Sequence, residues 1–238
     1  MAPPPIVAEE SGPRPRSRAL VVADGDLPAR ADLDAAWPDW AADATLVVAA
    51  DGGARGAERL RLRMDLIVGD GDSLGEADLA RFAAAGVPVR TVAAAKDESD
   101  TELAIGAAIE LGASAITVIG AFGGGRLDHA LANIGLLALP ALDGRPCVLL
   151  DAASRVSLLT GPQRGSFTGR AGDLVSLLPV GDGVGGVTTD GLAYPLRDEP
   201  LPLGPARGLS NVRLETTAVV MLRTGRLLVV ESPATLRR

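Results

Sequence analysis

Residues 45–73 read TLVVAADGGARGAERLRLRMDLIVGDGDS. Two short apolar runs, 45–50 and 65–68, each end in acid and glycine: Asp51-Gly52-Gly53 after the first, Gly69-Asp70-Gly71-Asp72-Ser73 after the second. Brief runs rich in Val and Ile, bounded by turn residues, read as strands buried on both faces. Working outward, ALVVA at 19–23, VPVRTV at 87–92, AITVIG at 115–120 and PCVLLD at 146–151 repeat the pattern. Ala- and Leu-rich segments of helical spacing lie between several of them, at 76–85, 101–111 and 127–137. Alternating strand and helix predicts an α/β fold with a parallel sheet covered on both faces. In the last helical segment Leu127, Leu131, Ile134 and Ala138 are spaced to form one stripe, which predicts a buried face.

Beyond residue 152 the helical spacing stops. RVSLLT, GSFTG, DLVSLLPV, GVTT, NVRLETT, AVVMLRT and RLLVVE follow as short strands between Gly, Pro and Asp turns, with TGR read as a hairpin turn joining the last two. This half predicts an antiparallel sandwich or barrel, and the Pro-rich stretch 190–209 an ordered crossing loop.

Composition narrows the function. With 47% hydrophobic and 22% charged residues the chain is globular in character, and Asp, Arg or Gly interrupts each apolar run well short of a membrane span. A net charge of -7 with 3% aromatic residues argues against a nucleic-acid surface, which needs a basic stripe and stacking rings. The single cysteine, Cys147, lies in an apolar run, forms no internal disulfide and fits a core position in a protein of the reducing cytoplasm. Residues 1–18 lack the continuous apolar stretch of a signal peptide and are expected to form a disordered leader.

Open parallel sheets bind ligands beyond the carboxyl ends of their strands. There this chain carries Asp51, then Asp70 and Asp72, then Lys96-Asp97-Glu98-Ser99-Asp100-Thr101-Glu102. Each group also suits a plain local role: Asp51-Gly52 a turn, Asp70 and Asp72 turn-formers, Ser73 with Glu76 and Ser99 with Glu102 capping boxes. Convergence favours another explanation, because carboxylates gathered at one edge repel each other unless a cation neutralises them. Mg²⁺, which takes oxygen ligands and binds one or two carboxylates together with substrate phosphates, fits; Asp70, Asp72 and Asp97 or Asp100 are the expected ligands. Lys96, the only lysine, adjoins this loop and could reach a phosphate or be there by chance.

The loop Gly120-Ala-Phe-Gly-Gly-Gly-Arg-Leu-Asp-His129 has the opposite character. Glycines such as Gly124 let backbone amides approach an anion, the following helix points its positive end there, and Arg126 can clamp phosphate oxygens. It is not a Walker A sequence. His129, the only histidine, fits a hydrogen-bonded structural role as readily as a ligand contact.

In order along the chain, AADGGARG, MDLIVGDGDS, KDESDTELAI, GAFGGGRLDHALANIGLL, GDLVSLLPV, TTDGLAYPL and GLSNVRLE resemble the motifs of the thiamine pyrophosphokinase family, from about residue 19 to 231. The resemblance implies a Rossmann-like α/β nucleotide-binding domain over 19–151 and a β-sandwich over 152–238. It also implies a homodimer with the thiamine site between subunits, ATP as co-substrate and Mg²⁺ as cofactor. By position it places Asp51, Asp70, Asp72, Asp97 and Asp100 around magnesium and the ATP phosphates, with Gly52 and Gly53 in the first motif and Lys96 in the third. Arg126, Asp128 and His129 match its GGRxDH motif, with Asn133 on the same helix, and Ser210 and Asn211 match the GxSN motif of the thiamine pocket. Without the resemblance, Ser210-Asn211 reads as a turn. Gly71 stands where relatives often carry a bulky aromatic residue, and Asp24-Gly25 where they tend to carry Asn-Gly. The implied reaction forms thiamine diphosphate and AMP. Transfer to another alcohol such as a pterin, or nucleotide and thiamine binding without catalysis, would use the same motifs.

Overall fold

The computed structural model describes residues 17–236. Six strands form its parallel part: β1 (Ser17–Val22), β2 (Ala44–Ala50), β3 (Leu66–Gly69), β4 (Val89–Thr91), β5 (Ala113–Ile119) and β6 (Cys147–Leu150). Five helices connect them: α1 (Arg30–Ala36), α2 (Gly53–Arg59), α3 (Gly75–Ala84), α4 (Asp100–Glu110) and α5 (Leu127–Leu136). The strand order is β4-β3-β2-β1-β5-β6, so the chain reverses its direction of travel across the sheet between β1 and β5. The first strand takes in Ser17 and Arg18 of the expected leader; residues 1–16 lie outside the described residues.

Each face of this sheet carries its own core. On one, Ala19, Val21, Val48, Val68 and Val118 pack against Ala104, Ile105, Ala107 and Ala108 of α4. Small residues on α4 let it lie close to the strands, and burying Ile105 alone contributes about 1.5–3 kcal/mol. Ser99 caps the helix, its hydroxyl accepting the Glu102 amide at 3.1 Å, with Asp100 and Glu102 in the first turn. On the other face Leu20, Val22, Ala49 and Ile67 meet Leu33, Trp37, Trp40, Ala54 and Ala57. Cys147 belongs to the first core, and burial pushes its thiol up to about 12.

The antiparallel half contains β7 (Arg155–Thr160), β8 (Gln163–Thr168), β9 (Leu174–Asp190), β10 (Glu199–Leu201), β11 (Asn211–Val212), β12 (Thr217–Leu222) and β13 (Thr224–Ser232). It joins the first half through antiparallel pairing of β6 with β7, and the order continues β7-β13-β9-β12-β8. The long β9 pairs first with β13 and then, past the positive-φ residues Gly181, Gly183 and Gly186, with β12. It thereby bends around a core of Val175, Leu177, Val187, Val220, Leu227 and Val229.

Four local expectations are corrected. DLVSLLPV and GVTT are parts of one strand, β9. The crossing loop contains β10. TGR does not close a hairpin: β12 pairs with β8 and β9, β13 with β7 and β9, and the chain passes between sheets there. The stripe on α5 is not buried, since Leu127 and Leu131 are 73% and 59% exposed. Periodicity records that a helix has an apolar face, not that the same chain covers it. No described helix is long and apolar enough to cross a membrane.

Candidate active site

The carboxyl edge of the parallel sheet gathers the acidic loops. Parallel pairing of β2 with β3, Ala50 opposite Val68, sets Asp51 beside the start of the Gly69–Ser73 turn. Asp51 is 2% exposed at φ 41°, and its carboxylate accepts the Ser73 amide at 2.8 Å and the Leu74 amide at 3.3 Å. Those bonds replace the expected Ser73 cap: α3 begins at Gly75 after Leu74, with no side-chain cap. Contact is so close that a Cβ on Gly69 would lie 2.7 Å from that of Asp51.

Among the described residues, the carboxylates whose ligand oxygens fall within 4.8 Å of one another are those of Asp51, Asp70 and Asp100. Lys96 lies among them, its Nζ 3.2 Å from Asp70 Oδ2 and in contact with Asp100 Oδ1. Burial, with added repulsion from Asp100 and Asp70, holds the Asp51 carboxyl above its ordinary value even though two amides oppose it. The Asp72 amide, 3.1 Å away, and the Lys96 ammonium hold Asp70 below its own. Burial disfavours charge on Lys96, but Asp100 and Asp70 outweigh it and raise its pKa. Three anions and one cation thus leave a negative site of hard oxygen donors, suited to a divalent ion of the magnesium type. Asp72 and Asp97 are exposed and stand outside this group of three.

A second group forms where β1 and β5 part. The Gly25 amide donates to Gly120 O at 2.9 Å and the Asp26 amide to Phe122 O at 2.8 Å. A Cβ on Gly25 would collide with both carbonyls, so this residue must be glycine for the two loops to meet. The Asp24 carboxylate lies against Gly52 and Asp26 against Gly123, while Gly53 packs on the Val22 carbonyl. The Asp24-Gly25-Asp26 turn therefore braces the glycine loop. Its signal in the sequence is an Asp-Gly pair after a strand, but that it faces the loop of β5 depends on strand order.

Gly124 is exposed at φ 68° in that loop. Arg126 precedes α5 and grips Asp128 through two bonds, Nε to Oδ1 at 2.9 Å and Nη2 to Oδ2 at 2.6 Å. The pair raises the arginine pKa and lowers that of the aspartate; both are exposed, as is His129. Asn133 donates to Ala121 O at 2.8 Å and ties the helix to its loop. Ser210 and Asn211 lie on the antiparallel half, and none of their hydrogen bonds among the described residues reaches the parallel half. The Asn211 side chain holds both backbone groups of Tyr194: Oδ1 accepts the amides of Tyr194 and Val212, each at 2.9 Å, and Nδ2 donates to Tyr194 O at 2.6 Å.

The model of the thiamin pyrophosphokinase catalytic domain matches residues 37–149, and that of the thiamin pyrophosphokinase vitamin B1 binding domain matches residues 165–228. The chain belongs to the thiamine pyrophosphokinase family. The first match spans the three clustered carboxylates, Lys96 and Arg126, and the second spans Ser210 and Asn211. A thiamine pyrophosphokinase of Bacillus subtilis is 26% identical over 164 residues, covering 69% of this chain and 76% of that protein. The crystal structure of the thiamine pyrophosphokinase from Bacillus subtilis superposes with a TM-score of 0.77 at 25% identity, over 91% of this chain and 99% of the other. That from Geobacillus thermodenitrificans gives 0.76 at 26% identity, over 91% and 97%. Thiamine pyrophosphokinases thus share both the parallel sheet and the antiparallel half of this chain.

Proposed function

We propose that this chain transfers the diphosphate group of ATP to the primary hydroxyl of thiamine, forming thiamine diphosphate and AMP. The observation that carries the reading is the convergence of Asp51, Asp70 and Asp100 within 4.8 Å, inside the segment that matches the catalytic-domain model. Their oxygens would hold Mg²⁺, which when bound neutralises phosphate charge and fixes the polyphosphate in one geometry.

The remaining work falls to the chain's own groups. Lys96 limits the charge of the cluster and is within reach of a phosphate there. The amides of the Gly123–Gly125 loop, the amino end of α5 and the Arg126 guanidinium supply positive potential for the polyphosphate. Thiamine's hydroxyl oxygen bonds to the β-phosphorus as the bridge to the α-phosphate breaks, and AMP leaves with that bridging oxygen. Asp97, exposed on the loop before α4, orients the hydroxyl and accepts its proton. Positioning and charge stabilisation account for most of the rate in such transfers. Ser210 and Asn211 belong to the thiamine side, where the overall charge of -7 favours a cationic acceptor.

A homodimer fits this reading. Its support is apolar surface the chain leaves uncovered, Leu127 and Leu131 on α5 and Tyr194, Leu209 and Leu214 on the antiparallel half. The expected compartment is the cytoplasm. Purified protein incubated with ATP, Mg²⁺ and thiamine should form AMP and thiamine diphosphate in equal amounts, and omission of any one component should abolish both. Folded protein that yields neither product would refute the activity.

A further inference from the structure

The turn that carries Asp70 and Asp72 has little side-chain packing of its own. Gly71 sits at φ 85° with no side chain, Asp72 and Ser73 are exposed, and Leu74, 2% exposed, joins the core that contains Ala54 and Ala57 of α2. Within the turn the Gly75 amide donates to Gly71 O at 2.8 Å and the Asp72 amide to Asp70 Oδ1 at 3.1 Å. Neither bond fixes the turn against the strand beside it.

That attachment comes from two side chains on the segment that follows β2. Asp51 accepts the amides of Ser73 and Leu74. Arg55, in the first turn of α2, takes the carbonyls of the same two residues: Nη1 donates to Ser73 O at 2.9 Å and Nη2 to Leu74 O at 2.6 Å. The peptide group joining Ser73 to Leu74 is therefore held at both ends, its N–H by Asp51 and its C=O by Arg55. The two ends of a planar trans peptide point in opposite directions, so gripping both fixes the orientation of its plane. The guanidinium is itself braced, Nε donating to Asp78 Oδ2 on α3 at 2.6 Å. A planar fork spans these three acceptors at once, which a single ammonium does not.

We infer that Arg55 is a positioning residue for the acidic cluster: it fixes the Gly69–Leu74 turn so that Asp70 meets Asp51 and Asp100 in a geometry one divalent ion can bridge. The role rests on the reading of that cluster as a metal site. Partners that orient the groups touching a metal change its affinity about 10- to 100-fold when removed. The rival account is a plain tie between α2 and α3 through the Arg55–Asp78 ion pair, whose side chains are 44% and 27% exposed. The sign of the effect separates the two. Arg55 is a cation, so on charge alone its removal tightens the binding of another cation nearby, whereas loss of positioning weakens it.

Mn²⁺, which takes the same oxygen ligands as Mg²⁺, is titrated into the full-length protein without nucleotide at constant ionic strength, and the bound ion is counted by electron paramagnetic resonance. Amide hydrogen exchange across residues 69–75 is followed in parallel. Arg55→Met should bind Mn²⁺ about 10- to 100-fold more weakly. Its Ser73 and Leu74 amides should exchange at least about tenfold faster. Asp78→Asn loses the ion pair but keeps both carbonyl bonds of Arg55, and should stay within about twofold of the wild type in both readouts. If Arg55→Met does not fold, Arg55→Lys, with one nitrogen in place of the fork, carries the same expectation. Equal or tighter Mn²⁺ binding without Arg55, or equal losses in the Arg55 and Asp78 variants, would overturn the proposal. Folded wild-type protein that holds no Mn²⁺ would refute the metal reading of the cluster, and this role with it.

Discussion

The carboxylate of Asp51, at the end of β2, accepts the backbone amide of Ser73, beyond β3, at 2.8 Å. One side chain thus ties together the loops that follow two neighbouring strands while contributing to the acidic cluster. Burial holds its pKa above the ordinary 3.8, so the folded protein binds a proton here more readily than the unfolded chain, and ionisation costs stability as pH rises above that value. Asp51→Asn imitates the protonated form and keeps an acceptor for Ser73. It should melt within about 4 °C of the wild type. Without the negative charge, the Mg²⁺-induced rise in melting temperature should vanish and turnover should fall about 100- to 1000-fold. In the wild type that rise should grow from about pH 4 to pH 7, since the ion competes with the proton. A Mg²⁺ effect that survives in Asp51→Asn would remove this residue from the site.

Lys96 allows a test at both ends of the pH scale. Asp70 is held below 3.8, so the stability it gains is present above that value and is lost as acid protonates it. Lys96 is held above 10.5, so its contribution is complete below that value and is lost as base removes its proton. Melting temperatures of wild type and Lys96→Met should differ by about 2–4 °C near neutrality and converge toward both extremes. Mg²⁺ should stabilise the variant more than the wild type, because ammonium and metal compete for the same oxygens. A difference that does not change with pH would show that the ion pairs do not govern stability here.

Asp70 and Asp72 separate under the same assay. Asp70 belongs to the group of three, whereas Asp72 is exposed outside it and contributes its backbone amide to Asp70. Asp70→Asn should therefore lose the metal-induced stabilisation seen without nucleotide, and Asp72→Asn should keep it. Both should turn over at least about tenfold more slowly, the second because its charge is needed once ATP phosphates are present. Wild-type turnover in Asp72→Asn would leave that side chain as a turn-former only.

Gly25 supports the glycine loop by close approach. Ala at this position must push back the carbonyls of Gly120 and Phe122, which are backbone atoms and cannot rotate away. Urea unfolding of Gly25→Ala should show a loss of about 1–3 kcal/mol, and KM for ATP should rise as the loop shifts. An unchanged midpoint would mean that the two loops separate without cost.

Much of this arrangement is legible in the amino-acid sequence. Strand-like runs ending in Asp and Gly at 45–53 and 65–73 announce a parallel sheet with ligands at its carboxyl edge, and Ser99-x-x-Glu102 announces the start of α4. The features that local sequence does not reveal depend on neighbours distant along the chain. Asp51 reads as a turn residue until β3 is known to lie beside β2, and Asp24-Gly25 as a simple turn until β5 is known to lie beside β1. Likewise Thr224-Gly225-Arg226 has the composition of a hairpin turn, but its flanking strands pair with β8, β9 and β7 instead. Local propensity cannot report which sheet a strand joins.

Asn211 and Ser210 are adjacent motif residues with opposite structural weight. Asn211 is 5% exposed and holds both backbone groups of Tyr194, so Asn211→Ala leaves two peptide amides and a carbonyl to find new partners. That should cost about 1–3 kcal/mol in chemical denaturation and loosen the loop bearing the exposed Tyr194 ring. Ser210 adopts φ 56°, and its backbone amide donates to Ser176 Oγ at 3.0 Å; its own hydroxyl has no partner among the described residues. Ser210→Ala should therefore melt like the wild type. If this hydroxyl faces thiamine, the variant should raise KM for thiamine and leave KM for ATP unchanged, whereas Asn211→Ala should show the thiamine effect together with lost stability. Unchanged thiamine KM in both variants would exclude this segment from the acceptor site.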